Sequence, residues 1–521
     1  MKANPLASKR KGQQEIGVPS SVAAPVRGWN TRDTLANMGK EYAITMDNWL
    51  PTTGTVDLRP GCSDHSTGLG AAPVKTIMAW RGLASQKLFG VTNLGIYDMT
   101  AVGAVGAIVQ ARTEGYCMYT NFNTSGQSYL IAINGVDDLV YTNGTVWNSI
   151  ASFAINGGGT LLSNTISNIS SFKRSLYFLK TASLSFFYLP IDSINGIVSE
   201  FPLGALFTKG GYLMAVGTWT IDGGFGPDDY SVFVTSEGQA AVYKGTDPAF
   251  ASSWALIGIY DIAPPMGRKC LCRYGGDLLI LTRGGVYSLS RILKTTMLSP
   301  AASLSDVIGE AFASAAIATG TLKGWEMVDC PELNILICNI PQTEFVSSHQ
   351  YVMNTKTMAW CRFKGWDGFS MTYLAGTMYM GFLGKSGKIF VPGNDFANSI
   401  TATAVAAFNY HSPRSRLKEW KLVKANLTIG GRTAVNIALM TDFMQTVDYG
   451  TAVFNTAFLS RWDTSQWDIA GWSSEPTGHN EWVTVSAEPS YASAVCLRVI
   501  ARDATVVWSA TDQIYEPGAL V

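Results

Sequence analysis

The residues best suited to acid–base or metal chemistry are four histidines, His65, His349, His411 and His479, and they are far apart. No HExxH or comparable spacing occurs, so we interpret each as an isolated surface or turn residue. The sequence also lacks a GxSxG nucleophile elbow, a GxxxxGK[ST] phosphate loop and a paired Cys–His signature. We therefore predict that the protein is not an enzyme and that it has no catalytic residue, no cofactor and no metal.

One acidic segment, GGFGPDDY at residues 223–230, could contribute to a calcium site. Asp222, Asp228 and Asp229 supply the carboxylates that Ca²⁺ prefers, but they lack the regular spacing of a calcium loop. We favour a long hairpin turn for this segment. A pair of opposed carboxylates, which a glycosidase needs, cannot be named from the linear sequence.

A basic cluster occupies the segment HSPRSRLKEWKLVK, which contains one acidic residue, Glu419. Its members are Arg414, Arg416, Lys418, Lys421 and Lys424. One interpretation is a surface that contacts DNA phosphates. The other is a solvated strand edge or a salt-bridged contact with another subunit, and we favour this one. The basic residues 9–11 are either an arm that touches DNA or a solubilising tail.

Three tryptophans, Trp462, Trp467 and Trp472, lie close together in RWDTSQWDIAGW. Tryptophans at this density, beside Asp and Ser, indicate a packed loop or an interface with another protein. Because indole faces also stack on sugar rings, the segment motivates receptor or glycan binding as an alternative function.

Short strands separated by Gly, Asn, Asp or Pro recur from residue 74 to residue 409, with a period of roughly 35–50 residues. The second strand of each unit is the most apolar, as in KLFGV, SYLIAI, DLLIL and LNILI, which is typical of a strand buried on both faces. We therefore predict an all-β fold with a β-propeller of six or seven blades. The alternative is a pair of β-sandwiches or an irregular all-β chain.

One helix interrupts the strand pattern in LSPAASLSDVIGEAFASAAIATG. We predict that it runs from Asp306 through Ala315, with Ser303 or Ser305 as the N-cap and Gly320 at its end.

These patterns divide the chain into four parts. Residues 1–20 are a flexible arm, and residues 21–73 are an extended segment that joins a platform domain. Residues 74–409 form the propeller. Residues 410–521 hold alternating strands such as AVNIALMTD and AVCLRVIARD, which predict a C-terminal β-sandwich, so that N- and C-terminal segments together build the platform.

Composition excludes several classes of protein. Of 521 residues, 38 are Lys or Arg and 38 are Asp or Glu, so the formal net charge is +0 and only 15% of residues are charged. A hydrophobic content of 47% is too high for a disordered chain, and the neutral balance argues against a protein that coats DNA. The eight cysteines are predicted to be reduced thiols. No secretory h-region and no apolar run of about 18 residues occurs, so we expect no signal peptide and no membrane span.

Several stretches, in consistent order from about residue 17 to residue 430, carry a family resemblance. They are VRGWNTRDTLANM, AITMDNWLPTTGTVDLRPG, LYFLKTASLSFFYLPIDSINGIVSEFPLG, GGYLMAVGTWTIDGGFGPDDYSVFVTSEGQAAVYKGTDP, MGRKCLCRYGGDLLILTRGGVYSLSR and QYVMNTKTMAWCRFKGW. The chain resembles the tail nozzle, or packaged-DNA-stabilisation-like, structural proteins of short-tailed double-stranded DNA bacteriophages (podoviruses).

The resemblance implies a virion protein made in the host cytoplasm and freed by lysis. It implies a homohexameric ring below the adaptor of the portal–adaptor complex, near tail fibres or tailspikes. Such a ring extends the DNA channel, helps to retain the packaged genome and passes double-stranded DNA without sequence specificity during ejection. The family has no short catalytic motif, so it assigns no site residue here. Receptor or glycan binding is the alternative function, and a propeller glycan hydrolase is a distant third.

Overall fold

The computed structural model describes residues 17–222, 227–295, 302–444, 454–455, 477–479, 481–485 and 487–518. Six strands come first: β1 (Val18–Ala23), β2 (Gly28–Trp29), β3 (Tyr42–Asp47), β4 (Trp49–Pro51), β5 (Val56–Leu58) and β6 (Gly61–Thr67). The next two units are β7 (Thr76–Arg81), β8 (Gln86–Val91), β9 (Gly95–Asp98), β10 (Gly103–Ala104) and β11 (Gln110–Ala111), then β12 (Met118–Asn123), β13 (Ser128–Ile133), β14 (Leu139–Thr142) and β15 (Trp147–Ile150).

The third unit contains six strands, and the fourth contains four. They are β16 (Ser152–Ile155), β17 (Thr160–Leu162), β18 (Ile166–Phe172), β19 (Ser175–Lys180), β20 (Ser185–Tyr188) and β21 (Ile197–Pro202), followed by β22 (Leu213–Asp222), β23 (Pro227–Thr235), β24 (Gln239–Gly245) and β25 (Trp254–Asp261). Short 3-10 turns occupy Ser163–Thr165 and Gly204–Leu206.

The last three units are shorter meanders. They are β26 (Leu271–Tyr274), β27 (Asp277–Thr282) and β28 (Gly285–Ser288); β29 (Glu326–Cys330), β30 (Ile335–Thr343), β31 (Ser347–Asn354) and β32 (Ala359–Phe363); and β33 (Ser370–Leu374), β34 (Thr377–Gly381) and β35 (Ser386–Val391). Helices α1 (Leu289–Thr295) and α2 (Gly309–Thr319) lie between β28 and β29.

These units form a β-propeller, which confirms the predicted fold. In the described part of the chain, one strand of each unit contacts the corresponding strand of the next unit around the whole ring, so these strands line its centre. They are β7, β12, β18, β22, β26, β29 and β33. Six units are separate small sheets and form six blades. The unit β29–β32 completes the ring but continues into a much larger sheet through β2 and β3. This shared unit explains why the strand pattern is compatible with six or seven blades.

The ring is closed by a strand from the N-terminal part of the chain. β6 pairs antiparallel with β35, with Cys62 opposite Ile389 and Ser66 opposite Ser386. It therefore supplies the fourth strand of the blade built by β33, β34 and β35, and β10 pairs with it at the outer edge. Nothing in GCSDHST indicates this role from sequence alone, because the segment is polar and does not alternate.

The remaining strands belong to the larger sheet, which has 15 strands within the described residues. They are β36 (Ile400–Ala406), β37 (Lys418–Thr441), β38 (Phe454–Asn455), β39 (Thr477–His479), β40 (Val483–Thr484) and β41 (Ser493–Pro517). β37 and β41, of 24 and 25 residues, pair antiparallel along nearly their whole length as a ribbon ~80 Å long. Because β1, β5 and β36 also pair with β41, N- and C-terminal segments share one sheet.

The helical interruption is confirmed, but two local predictions about it are wrong. The α-helix spans Gly309–Thr319 and not Asp306 through Ala315, since a 3-10 turn at Asp306–Ile308 precedes it. Ser305 does not cap this turn, because its Oγ accepts a hydrogen bond from Val286 N at 2.9 Å. After Ser288 the chain continues as α1, and the Oγ atoms of Ser288 and Ser290 donate to the carboxylate of Asp277.

All eight cysteines are free in the structure, and seven of them are buried. Burial raises the pKa of most of these thiols, for example that of Cys270 to about 12, so they are packing residues and poor nucleophiles at neutral pH. Among the described residues, the two helices and the shorter turns offer no apolar segment of membrane-spanning length.

Candidate functional site

The basic cluster lies on the connection that enters β37, but its five members have very different surroundings. Lys418 is fully buried, with 0% of its surface exposed. Its ammonium donates to the carbonyl oxygens of Pro413 at 3.0 Å, Arg416 at 2.9 Å and Tyr491 at 3.4 Å. Burial lowers its pKa. Lys418 therefore stabilises the first residues of β37 through these hydrogen bonds and is not available to a ligand.

Two further lysines of the cluster are neutralised within the chain. Lys421 Nζ lies 2.6 Å from Glu419 and 3.4 Å from Glu516, and Lys424 Nζ lies 3.0 Å from Asp512. Lys424 also lies 4.8 Å from the ring centroid of Trp482. The acids come mainly from β41, far away in sequence, so the linear charge count overstated the positive charge of this surface.

The two arginines differ from the lysines. Arg416 donates from Nε to the carbonyl oxygen of Gly518 at 2.6 Å. Arg414 is exposed, and its guanidinium lies 3.9 Å from the ring centroid of Tyr410. In the described part of the chain, no carboxylate lies within ion-pair distance of Arg414. It is therefore the member of the cluster for which the described residues supply neither a carboxylate nor a carbonyl acceptor.

Arg414 lines a cavity of about 540 Å³, which we call the cationic pocket. Lys40 also lines this cavity, and it too has no carboxylate partner within the described residues. The remaining lining comes from the connection before β3 and from the segment after β36: Ala36, Asn37, Met38, Phe408, Asn409, Tyr410, His411 and Ser412. No acidic residue is part of this lining, so its side chains carry two positive charges.

His411 forms the buried side of the cationic pocket. Its Nδ1 lies 2.8 Å from Ser20 Oγ, and its Nε2 lies 3.3 Å from Ser493 Oγ. Burial, together with the charge of Lys418, lowers its pKa to about 4. Burial, together with the charge of Arg362, likewise lowers the pKa of His349 to about 4. The prediction of isolated surface or turn histidines is wrong for His65 and His411, which are buried and hydrogen-bonded. It is also wrong for His349, which lies in β31 with its ring centroid 5.3 Å from that of Tyr351.

We expect acidification from pH 7 to pH 5 to destabilise the protein through His349 and His411. Both have folded-state pKa values below the unfolded value of 6.5. Between these pKa values the unfolded chain binds more protons than the folded chain, so the free energy of unfolding decreases as the pH is lowered. The loss is about 2 kcal/mol per histidine at pH 5. Urea titrations at several pH values would measure it.

The double variant His349→Phe/His411→Asn is the control for this pH dependence. Asp329, whose pKa burial raises to about 6, acts in the opposite direction and stays in both proteins. The variant is expected to lose most of the decline between pH 7 and pH 5. An unchanged decline would assign the effect to other groups.

Sequence reasoning missed a second site, at the centre of the propeller. Glu114, just before β12, accepts from Lys75 at 3.1 Å and from Lys323, just before β29, at 2.8 Å. Although burial opposes it, hydrogen bonds from Lys323, Tyr116 N and Lys75 lower the pKa of Glu114 to about 2. Since the units of Lys323 and Glu114 are not neighbours in the ring, this ion pair spans the central opening.

Further contacts span the ring at the same place. Lys269 Nζ lies 5.2 Å from the ring centroid of Tyr116, and Lys75 Nζ lies 4.5 Å from that of Phe345. Tyr116 and Phe345 are themselves 6.0 Å apart. We call this set the axial cluster: Lys75, Glu114, Tyr116, Lys269, Lys323 and Phe345. It closes one end of the propeller axis with paired charges and packed rings.

Lys269 and Glu326 connect the axial cluster to one more unit, the one that begins with β33. Lys269 donates to Glu326 Oε1 at 3.0 Å and to Ser370 Oγ at 3.1 Å. Glu326 also accepts from Met371 N at 2.9 Å. The cluster is scattered over about 300 residues of sequence, and only the ring topology brings its members together.

The remaining candidates from the sequence are the tryptophan-rich segment, the basic residues 9–11 and the acidic hairpin. Trp462, Trp467, Trp472 and the basic residues 9–11 lie outside the described residues. β22 and β23 pair as the expected hairpin. Asp229 accepts from Thr220 Oγ1 at 2.7 Å and pairs with Lys173. In the part of the chain that the structure describes, no group of three or more His, Cys, Asp or Glu residues could hold a metal ion.

Comparison with known proteins gives no family. No protein-family model matches the chain, and no curated protein matches it either. Its propeller is similar to BBS1N, in the crystal structure of BBS1N in complex with ARL6DN, at 9% identity and TM-score 0.40 over 64% of this chain and 96% of that one. It is also similar to the computationally designed Ika8 protein, at 10% identity and TM-score 0.33 over 63% of this chain and 100% of that one.

Proposed function

We propose that this chain is a structural virion protein, the nozzle subunit of a short bacteriophage tail. In this role, subunits form a ring, taken to be a homohexamer, below the tail adaptor. The ring extends the channel for double-stranded DNA, helps to retain the packaged genome and passes DNA during ejection. The family resemblance of residues 17–430 motivates the proposal.

Among the structural observations, the axial cluster gives the strongest support to this proposed function. A propeller that binds or cleaves a small ligand at its centre needs an accessible axis, whereas a wall segment does not. Here one end of the axis is closed by ion pairs and aromatic rings that link units across the ring. In the proposed assembly the DNA channel therefore lies between subunits and not through the propeller of any one of them.

Electron microscopy of the full chain with the portal–adaptor complex encoded by the same genome tests this function. We expect a ring attached to the adaptor, with its opening bounded by several propellers. The control is the same portal without adaptor, on which no ring should form. A chain that stays monomeric and never joins the portal–adaptor complex would overturn the proposal.

A further inference from the structure

We propose that the cationic pocket binds a phosphate group, and specifically a backbone phosphate of double-stranded DNA. The assignment to DNA rests on the proposed function, because a conduit brings duplex phosphates past each subunit. The assignment to phosphate rests on the pocket itself. Of the five residues of the basic cluster, the proposed site includes only Arg414. It also includes Lys40, which lies far from the cluster in sequence.

The charge distribution is the first argument. Lys418, Lys421 and Lys424 are held by carbonyl oxygens or by carboxylates of this chain. Lys40 and Arg414 line one cavity, are exposed, and lack such partners within the described residues. Two uncompensated cations facing one cavity repel each other, and an anion between them relieves that repulsion.

The orientation of Arg414 is the second argument. Its guanidinium lies over the ring of Tyr410, which in turn packs against Phe443 with ring centroids 6.2 Å apart. A stacked guanidinium keeps its N–H edge in the plane, free to donate two parallel hydrogen bonds to an oxyanion. The packed ring therefore fixes the donor before a ligand arrives, which reduces the entropy cost of binding.

The neutral lining is the third argument. Asn37 and Asn409 bring carboxamide donors to the same cavity. The Oδ1 atom of Asn409 accepts from His411 N at 3.0 Å, which fixes the orientation of its amide. With Lys40 and Arg414, these groups form a donor-rich, acid-free pocket that suits the tetrahedral oxygens of a phosphate.

Binding of a 30-base-pair duplex to the full chain at several salt concentrations tests the proposal. The variants are Lys40→Gln, Arg414→Gln and their combination, all at exposed positions. Each single change is expected to weaken binding about 3- to 10-fold. The double variant should reduce the slope of log K against log salt by about one, because the pocket holds one backbone phosphate that the variant no longer neutralises.

Lys421→Gln is the matched control, because Lys421 lies in the same basic cluster but is paired with Glu419 and Glu516. It should leave affinity and salt slope unchanged. A double variant that binds like the wild type, or a Lys421→Gln effect as large as that of Arg414→Gln, would overturn the proposal.

Inorganic phosphate, titrated calorimetrically into the full chain, separates the two sources of the ligand. We expect it to bind the wild type, to compete with the duplex and not to bind the double variant. Phosphate binding without duplex binding would overturn the assignment to DNA, and binding of neither would overturn the site. Ring formation on the portal–adaptor complex is read independently, so failure of the site and failure of the nozzle function are distinguishable.

Discussion

The variant Glu326→Ala is expected to lower the free energy of unfolding by about 3–5 kcal/mol. Glu326 is 7% exposed and holds the ammonium of Lys269, which is 8% exposed. Without the carboxylate, that ammonium keeps only its bond to Ser370 Oγ and remains buried as an uncompensated charge. Met371 N also loses its acceptor. Urea unfolding followed by tryptophan fluorescence would measure the loss.

The double variant Lys269→Met/Glu326→Leu separates charge from packing. Replacing a buried ion pair by apolar residues of similar volume is often neutral, so the double variant should recover most of the stability lost in Glu326→Ala. If it is as unstable as the single variant, the axial cluster is held by shape and not by the pairing of its charges.

Replacing Arg59 by methionine is expected to have a similarly large effect, again about 3–5 kcal/mol. The Arg59 side chain is 1% exposed, and its guanidinium donates to Asn48 Oδ1 at 2.8 Å, to the carbonyl oxygen of Lys364 at 2.8 Å and to Asp395 Oδ1 at 2.9 Å. It also lies 4.7 Å from the ring centroid of Trp366. Arg59 thus connects the N-terminal segment to the loops after β32 and β35.

Arg174→Met is the matched control for Arg59→Met. Arg174 also pairs with an aspartate, Asp192, but its side chain is 62% exposed, so its loss should cost less than about 1 kcal/mol. Arg59→Lys should recover little of the stability, since a single ammonium cannot reach acceptors on three sides. Equal effects at Arg59 and Arg174 would contradict the role assigned to burial.

Local patterns predicted the propeller strands well, because each blade is a meander of neighbouring segments joined by turns. KLFGV, SYLIAI and DLLIL are apolar because consecutive residues of β8, β13 and β27 are buried, which means that both faces of these strands are covered. The strand β6 was not predictable, because its partner β35 is remote and its polar composition gives no alternation. Ser305 was misassigned as a cap because its hydroxyl serves Val286 instead.

The candidate sites were less predictable than the fold, for the same physical reason. The charges of Lys421 and Lys424 are neutralised by Glu516 and Asp512, which lie about 90 residues later in the sequence, where β41 pairs with β37. Arg414 gains its significance from Lys40, which has no local signal of its own. The axial cluster combines residues from four units, and no linear motif marks such a set.

Closure of the ring by β6 has a consequence for synthesis on the ribosome. β6 emerges early, yet its partner β35 follows about 320 residues later, which at bacterial or eukaryotic translation rates takes on the order of tens of seconds. During that interval the blades already made form an open arc whose ends expose apolar strands. We therefore expect the nascent chain to be most prone to aggregation just before β35 emerges and pairs with β6.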